Sequence, residues 1–284
     1  MFDVWNKGFD KKLTDILMED GLDRMGYSLI HHPSDLIKTQ IQWKSSILVA
    51  GMPLVCKLIE EFVKNEKCNL PIIKNTLMEK EGQWVQPGEV TPISLPFSSF
   101  IFLERTMLNL LHRLSAIATT TSEYVSLAKP YGVEILDTRK TTPGLRNFER
   151  YAVQLGGGKN HRNDFTDSLM IKDNQKKFFG SLKNAWEYYN KQRSFYQSII
   201  VEIHSLNELQ EAIDLDIRHV MLDNFTVEDI NKAIALKSPM MTYEISGGIN
   251  HENIREYLIR GIDAISLSSI TFWPKRVDLS WKIL

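Results

Sequence analysis

The chain has 284 residues, 43% of them hydrophobic, and a formal net charge of −1. That length suffices for a large buried core in one large or two modest domains, and the near-neutral charge excludes a bulk field that would draw the chain to nucleic acid or an anionic membrane. No apolar run approaches the roughly 20 residues of a membrane span, the opening MFDVWNKGFDKK lacks the apolar core of a signal peptide, and Cys56 and Cys68 are too few for a disulfide framework, so a soluble, cytoplasmic protein is expected. In chain order, residues 15–20 read as a short helix and 42–51 (QWKSSILVAG) as a strand closed by glycine. Residues 53–65 are predicted helical because Leu54, Leu58, Ile59 and Phe62 recur at helical spacing, with Cys56 among them as a small core thiol. Pro87-Gly88 marks a turn between strands within 79–92. Residues 103–127 form a long predicted helix ended by Pro130, with Leu103, Met107, Leu110, Leu111, Leu114, Ile117 and Ala118 on one apolar face. A domain transition is expected inside that helix, because the rhythm then changes.

From residue 133 a unit repeats: an apolar run, a polar or small residue, a helical segment. The runs are 133–136, 169–171, 199–203, 220–222, 242–245 and 264–267, and Asp137, Lys172, Glu202, Asp223, Ser246 and Ser268 stand at or just past their ends. Helices are predicted over 181–191, 206–213, 226–236 and 250–260, with Thr226 and Asp229 as a capping box and Gly261 as a helix C-cap. Strands alternating with helices specify a parallel α/β sheet, open or closed, and a closed barrel puts its chemistry at the C-terminal strand ends. The charges of this chain fall there.

Residues 137–174 gather Arg139, Lys140, Lys159, His161, Arg162 and Lys172 around Gly156-Gly157-Gly158. Several such cations brought to neighbouring strand ends require an anionic ligand, and arginine forks converging on one site suit a dicarboxylate. The triple glycine reads as close packing beside His161 and Arg162. In 199–203, alternation sets Val201 and Ile203 on one face and Glu202 on the other; an inward carboxylate there is costly unless partnered or functional. Asp223 is similar. Glu202 and Asp223 facing Arg139, Lys140 and Lys172 suit a substrate with hydroxyls, a metal-bound pyrophosphate and an oxocarbenium-like centre. Ser246-Gly247-Gly248, between a strand and a helix, is a candidate anion loop. Arg105, in Glu104-Arg105-Thr106, reads as a solvated helix charge. His31-His32 form a pair, but no HExxH or CxxC metal motif is present.

These segments together resemble the quinolinate phosphoribosyltransferases. LVAGMP (48–53) is similar to a motif of the family's N-terminal domain, and Glu104-Arg105-Thr106 with Asn109 and Ser115-Ala116-Ile117-Ala118-Thr119 to its ERT helix. Residues 137–174 resemble the central signature, Val201-Glu202 and Leu222-Asp223-Asn224 the carboxylate strands, and Ser246-Gly247-Gly248-Ile249 the phosphate loop. The resemblance implies an N-terminal α/β sandwich over 1–115 joined by the tail 273–284, and an incomplete parallel α/β barrel over 116–272. It implies transfer of phosphoribosyl from phosphoribosyl pyrophosphate to quinolinate with decarboxylation, giving nicotinate mononucleotide, pyrophosphate and carbon dioxide in NAD biosynthesis. Mg2+ would be the cofactor, and the partner a second copy of the chain in a homodimer, or a higher oligomer, with shared sites. Arg105 would reach the neighbouring subunit's site. Arg139, His161 and Arg162 would hold the pyridine dicarboxylate, with catalytic Lys140 and Lys172 between it and the co-substrate. Glu202 and Asp223, also catalytic, would hold the ribose and the metal; Ser246, Gly247, Gly248 and Ser268 would meet the phosphate. Three departures stand out: Glu19-Asp20 is not followed by the family's GD-[IL]-T motif, GxLT becomes Ser268-Ser269-Ile270-Thr271, and Phe272-Trp273 follow where histidine is frequent. The alternatives are a molybdenum-utilisation-type paralogue acting on another ligand and a non-catalytic ligand-binding paralogue.

Overall fold

Alternation decides the first sheet. In LIKTQIQW, Thr39, Ile41 and Trp43 are buried and the residues between them less so, as in a strand with one face on a core. The computed structural model describes residues 9–21, 35–63 and 69–284. Cys68, His31-His32 and the stretch after Gly21 that lacks the GD-[IL]-T motif lie outside the described residues. The chain runs through α1 (Phe9–Glu19), β1 (Leu36–Trp43), β2 (Ile47–Leu48), α2 (Met52–Phe62), α3 (Leu70–Met78), β3 (Trp84–Val85), β4 (Val90–Pro96) and α4 (Phe97–Ala128). It continues through β5 (Glu134–Leu136), α5 (Arg146–Leu155), β6 (Leu169–Ile171), α6 (Asp173–Phe179), α7 (Leu182–Gln192), β7 (Ile199–Ile203), α8 (Leu206–Asp214) and β8 (His219–Asp223). It ends with α9 (Val227–Leu236), β9 (Thr242–Ser246), α10 (Ile254–Tyr257), β10 (Ala264–Ser266), α11 (Ser269–Phe272) and β11 (Leu279–Ile283). Among the described residues no helix is long and apolar enough to cross a membrane.

Two packed units result. The first takes the chain up to Ser122, Thr142–Gly157 and Pro274–Leu284; the second takes Glu123–Thr141 and Gly158–Trp273. The division falls inside α4, and residues 142–157 return to the first unit before the chain resumes the second.

In the first unit β1 lies between β11 and β4, antiparallel to both. The indole N–H groups buried here are satisfied: Trp43 donates to Thr91 Oγ1 at 3.0 Å and Trp281 to Thr39 Oγ1 at 2.7 Å. The predicted apolar face of α4 is buried from Leu103 to Ala118, each large side chain contributing roughly 1.5–3 kcal/mol. Two hydroxyls one turn apart on α4, Ser115 and Thr119, accept the backbone N–H groups of Ala50 (3.0 Å) and Leu48 (2.9 Å). Glu81 caps α2: its carboxylate takes the N–H groups of Gly51, at φ +113°, and Met52, and the hydroxyl of Tyr151 at 2.6 Å. Burial holds that carboxyl above its ordinary range despite these bonds. Arg113 and the buried Glu149 form a 2.8 Å ion pair, and Glu149 also accepts Thr142 N–H at 3.1 Å, fixing the segment that follows the second unit's first strand.

The second unit carries a parallel sheet in the order β5-β10-β9-β8-β7-β6. Sequential strands pair all the way from β6 to β10, and β5 closes onto β10, so the sheet is an α/β barrel open between β5 and β6. One isolated bridge, Leu136 with Lys159, flanks that opening.

Several expected elements differ. The strand expected over 42–51 is broken at residues 44–46, where Lys44 N–H turns to Asp278 O at 3.0 Å; Ile47–Leu48 then pairs with β3 instead. The helices expected over 15–20 and 103–127 begin earlier, at Phe9 and Phe97. The helix expected over 250–260 shrinks to Ile254–Tyr257, because asparagine side chains capture the backbone: Asn253 Oδ1 accepts Asn250 N–H and Asn250 Oδ1 accepts Glu252 N–H, both at 2.8 Å. Gly261, at φ +105°, is therefore no helix cap and sits against Ile234. Gly156 does serve close packing, but against α4 rather than beside His161: a Cβ there would lie 2.5 Å from Ala118 O. The helices α3, α5 and α6 were not foreseen.

Candidate active site

The C-terminal ends of the barrel strands converge on a cavity of about 270 Å³ lined by Thr138, Arg139, Lys140, His161, Arg162, Met170, Lys172, Glu202, Met221, Asp223, Ser246 and Ser266. A buried acid organises one wall. Asp137, fully buried, accepts His161 N–H at 2.8 Å and the Asn160 amide at 2.5 Å, while Lys159 N–H bonds Ile135 O at 2.8 Å. The chain after the triple glycine is thereby laid along β5, which brings His161 and Arg162 beside Arg139 and Lys140. The His161 ring accepts the Arg162 N–H through Nδ1 at 2.7 Å, so Nε2 carries the proton, 3.2 Å from Glu244 Oε2.

Arg162 also donates to Ser168 O at 2.9 Å. Its guanidinium is held below the ordinary arginine range, first by burial and then by the charge of Arg139. Across the cavity Lys172 pairs with Glu202. Asp223 is raised above the ordinary carboxylate range by burial and then by the neighbouring Glu202 charge. The cavity thus has a cationic wall suited to a carboxylate-bearing ligand and a carboxylate end suited to hydroxyls or a cation. The hydroxyl of Ser266, 4% exposed, has no protein partner among the described residues, a polar group left for whatever fills the cavity.

Of the residues expected at the site, Arg139, Lys140, His161, Arg162, Lys172, Glu202, Asp223 and Ser246 share this cavity. Gly247, Gly248 and Ser268 do not line it. Gly247, at φ +98°, packs on Asn224, where a Cβ would stand 2.3 Å from Oδ1. Ser268 immediately precedes α11, its carbonyl accepting Phe272 N–H at 2.9 Å. Arg105 is exposed on α4 in the first unit. Sequence reasoning missed Thr138, Ser266, Glu244 and His204. Glu244 and Ser246 alternate with buried Tyr243 and Ile245, the same signal that singled out Glu202.

The family model described as "Quinolinate phosphoribosyl transferase, C-terminal domain" matches residues 117–282. The chain belongs to the quinolinate phosphoribosyl transferase family. A relative in this family, the probable nicotinate-nucleotide pyrophosphorylase [carboxylating] of Synechocystis sp., is 33% identical over 251 residues, covering 86% of this chain and 83% of its own. The protein of the same name in Bacillus subtilis is 36% identical over 212 residues, 74% and 73% of the two chains. Among solved structures, the nicotinate-nucleotide pyrophosphorylase of Ehrlichia chaffeensis aligns with a TM-score of 0.87 at 25% identity, over 98% of this chain and 100% of that one. NadC of Streptococcus pyogenes aligns with a TM-score of 0.83 at 30% identity, over 97% and 98%. The likeness to these quinolinate phosphoribosyl transferase structures therefore spans both units, including the α/β barrel.

Proposed function

We propose that the chain is a nicotinate-nucleotide pyrophosphorylase (carboxylating) of NAD biosynthesis, joining quinolinate to phosphoribosyl pyrophosphate and releasing pyrophosphate and carbon dioxide. The observation that carries this reading is the division of one cavity into a wall of Arg139, His161 and Arg162 and an end of Glu202 and Asp223, with Lys172 between them. Arg139 and Arg162 bind the two ring carboxylates, and His161, its ring held through Nδ1 by the Arg162 N–H, completes that wall. The pyridine nitrogen attacks C1 of the ribose as the bond to pyrophosphate breaks; Lys140 and Lys172 take up the leaving-group charge. Glu202 and Asp223 bind the ribose hydroxyls and favour the positive charge developing at C1. The 2-carboxylate then leaves as carbon dioxide, its electrons drawn by the cationic ring, and a proton replaces it on the ring carbon.

The carboxylate end fits magnesium. Asp223 is strained toward its protonated form by burial and by Glu202, so a hard dication with oxygen ligands and retained waters suits the pair. Magnesium held there by Glu202 and Asp223 would neutralise the departing pyrophosphate. Ser246, Gly247, Gly248 and Ser268 serve the 5′-phosphate from the loops after β9 and β10. Arg105 serves the dicarboxylate of a partner subunit in a homodimer, and the enzyme works in the cytoplasm. The test is direct: the protein is mixed with quinolinate, phosphoribosyl pyrophosphate and magnesium, and nicotinate mononucleotide is sought by chromatography. Absence of product at every pH tried would sink the assignment.

A further inference from the structure

His204 has no place in the roles above, yet its ring sits among three carboxylates. It follows β7 directly, held by its own N–H to Glu208 Oε2 at 2.9 Å. Its Nε2 lies 2.8 Å from Asp173 Oδ1 and 3.8 Å from Glu202 Oε1, and its Nδ1 lies 3.6 Å from Asp223 Oδ2. Glu202 gives Oε2 to Lys172, which leaves Oε1 on the side of the imidazole. One ligand atom each from Asp173, Glu202 and His204 lie within 4.8 Å of one another.

Asp173, Glu202, Asp223 and Glu208 bring four carboxylates close to the ring, and the ammonium groups of Lys172 and Lys176 pair with three of them. A cation beside the imidazole is favoured by the carboxylate oxygens gathered there. An imidazole with two carboxylates is a nitrogen–oxygen donor set, which manganese, cobalt or zinc accepts more readily than magnesium does. The second ring nitrogen faces Asp223, the usual arrangement in which a carboxylate orients a metal-bound histidine.

We propose that Asp173, Glu202 and His204 form a divalent-metal site of the manganese–cobalt–zinc class, with Asp223 orienting the imidazole in that state. Three protein ligands leave positions open for oxygens of a pyrophosphate. The inference rests on reading this end of the cavity as the metal and pyrophosphate end, and it adds to that reading a nitrogen ligand and a metal preference.

The experiment titrates the substrate-free full chain with Co2+, following visible absorption, and repeats the titration with Mg2+ as competitor. One Co2+ per chain is expected, bound about tenfold or more tighter than Mg2+. His204→Ala and Asp173→Asn should each weaken Co2+ by about tenfold or more and alter its absorption bands, and in His204→Ala Mg2+ should displace Co2+ at about tenfold lower concentration, its own affinity being unchanged. Asp173 is 67% exposed at its side chain, so its amide variant keeps the fold. Co2+ affinity and bands unchanged in His204→Ala, or no stoichiometric Co2+ binding, would overturn the site. Synthesis of nicotinate mononucleotide with Mg2+ but without Co2+ binding removes this inference alone. Co2+ binding through His204 without product removes the enzyme reading alone.

Discussion

Arg139 and Arg162 share one aromatic ring, their guanidinium carbons lying 4.1 and 5.5 Å from the centroid of Phe165. Two like charges stacked on one side chain repel each other, and Arg162 is shifted downward, first by burial and then by the charge of Arg139. An anionic ligand with two carboxylates relieves that repulsion. Arg139→Ala and Arg162→Ala are each expected to weaken quinolinate binding by about 2–5 kcal/mol, the range for unpairing a desolvated charge. Calorimetry with quinolinate checks this; unchanged affinity in both variants would mean the dicarboxylate lies elsewhere.

A second prediction concerns Arg105, exposed on α4. If it serves a partner subunit's site, Arg105→Ala and Glu202→Ala should each abolish pyrophosphate release, and mixing the two should restore part of it. A mixed dimer has one site with both residues intact. Heterodimers that form and stay inactive would show that Arg105 acts within its own chain or not at all.

Stability should depend on pH through Glu81. Burial raises its folded-state pKa above the ordinary 4.5. Between the unfolded value and the higher folded one, the folded chain holds more protons, so stability falls as pH rises through that window and levels off above it. Urea midpoints measured across this range should show the slope in the wild type and a flatter profile in Glu81→Gln, which still offers an acceptor to Gly51 and Met52. An identical slope in both proteins would assign it to other groups.

Gly156→Ala should be costly. Its Cβ would stand 2.5 Å from the carbonyl oxygen of Ala118 and 2.6 Å from Thr121 Cβ, both on a helix that cannot yield locally. Overpacking of this kind costs roughly 1–3 kcal/mol, and a lowered urea midpoint checks it.

The barrel was legible because each strand is a short apolar run with a polar residue at its end, and 199–203 and 169–171 were read with the bounds that the fold gives them. The break after Trp43 was not legible, since it depends on Asp278, far along the chain. Nor was the short α10, where Asn250 and Asn253 outcompete a helical pattern by bonding the backbone themselves. At the site, charged residues contiguous in sequence were found readily. Glu244 and Ser266 needed the alternation test applied to every strand, not only to the one carrying Glu202. His204 acquires its meaning only when Asp173, Glu202 and Asp223 arrive from three separate segments.

The pairing of β1 with β11 has a consequence for how the molecule is made. The Trp281–Thr39 bond spans 242 residues of chain, and the whole barrel lies between its ends. Until β11 leaves the ribosome, β1 presents one unpaired edge and an unfilled place for the indole of Trp281. Such an edge invites pairing with other chains, and closure over so long a loop is slow. The first unit thus cannot be expressed as a contiguous amino-terminal fragment without exposing that edge, whereas the intact chain covers it from within.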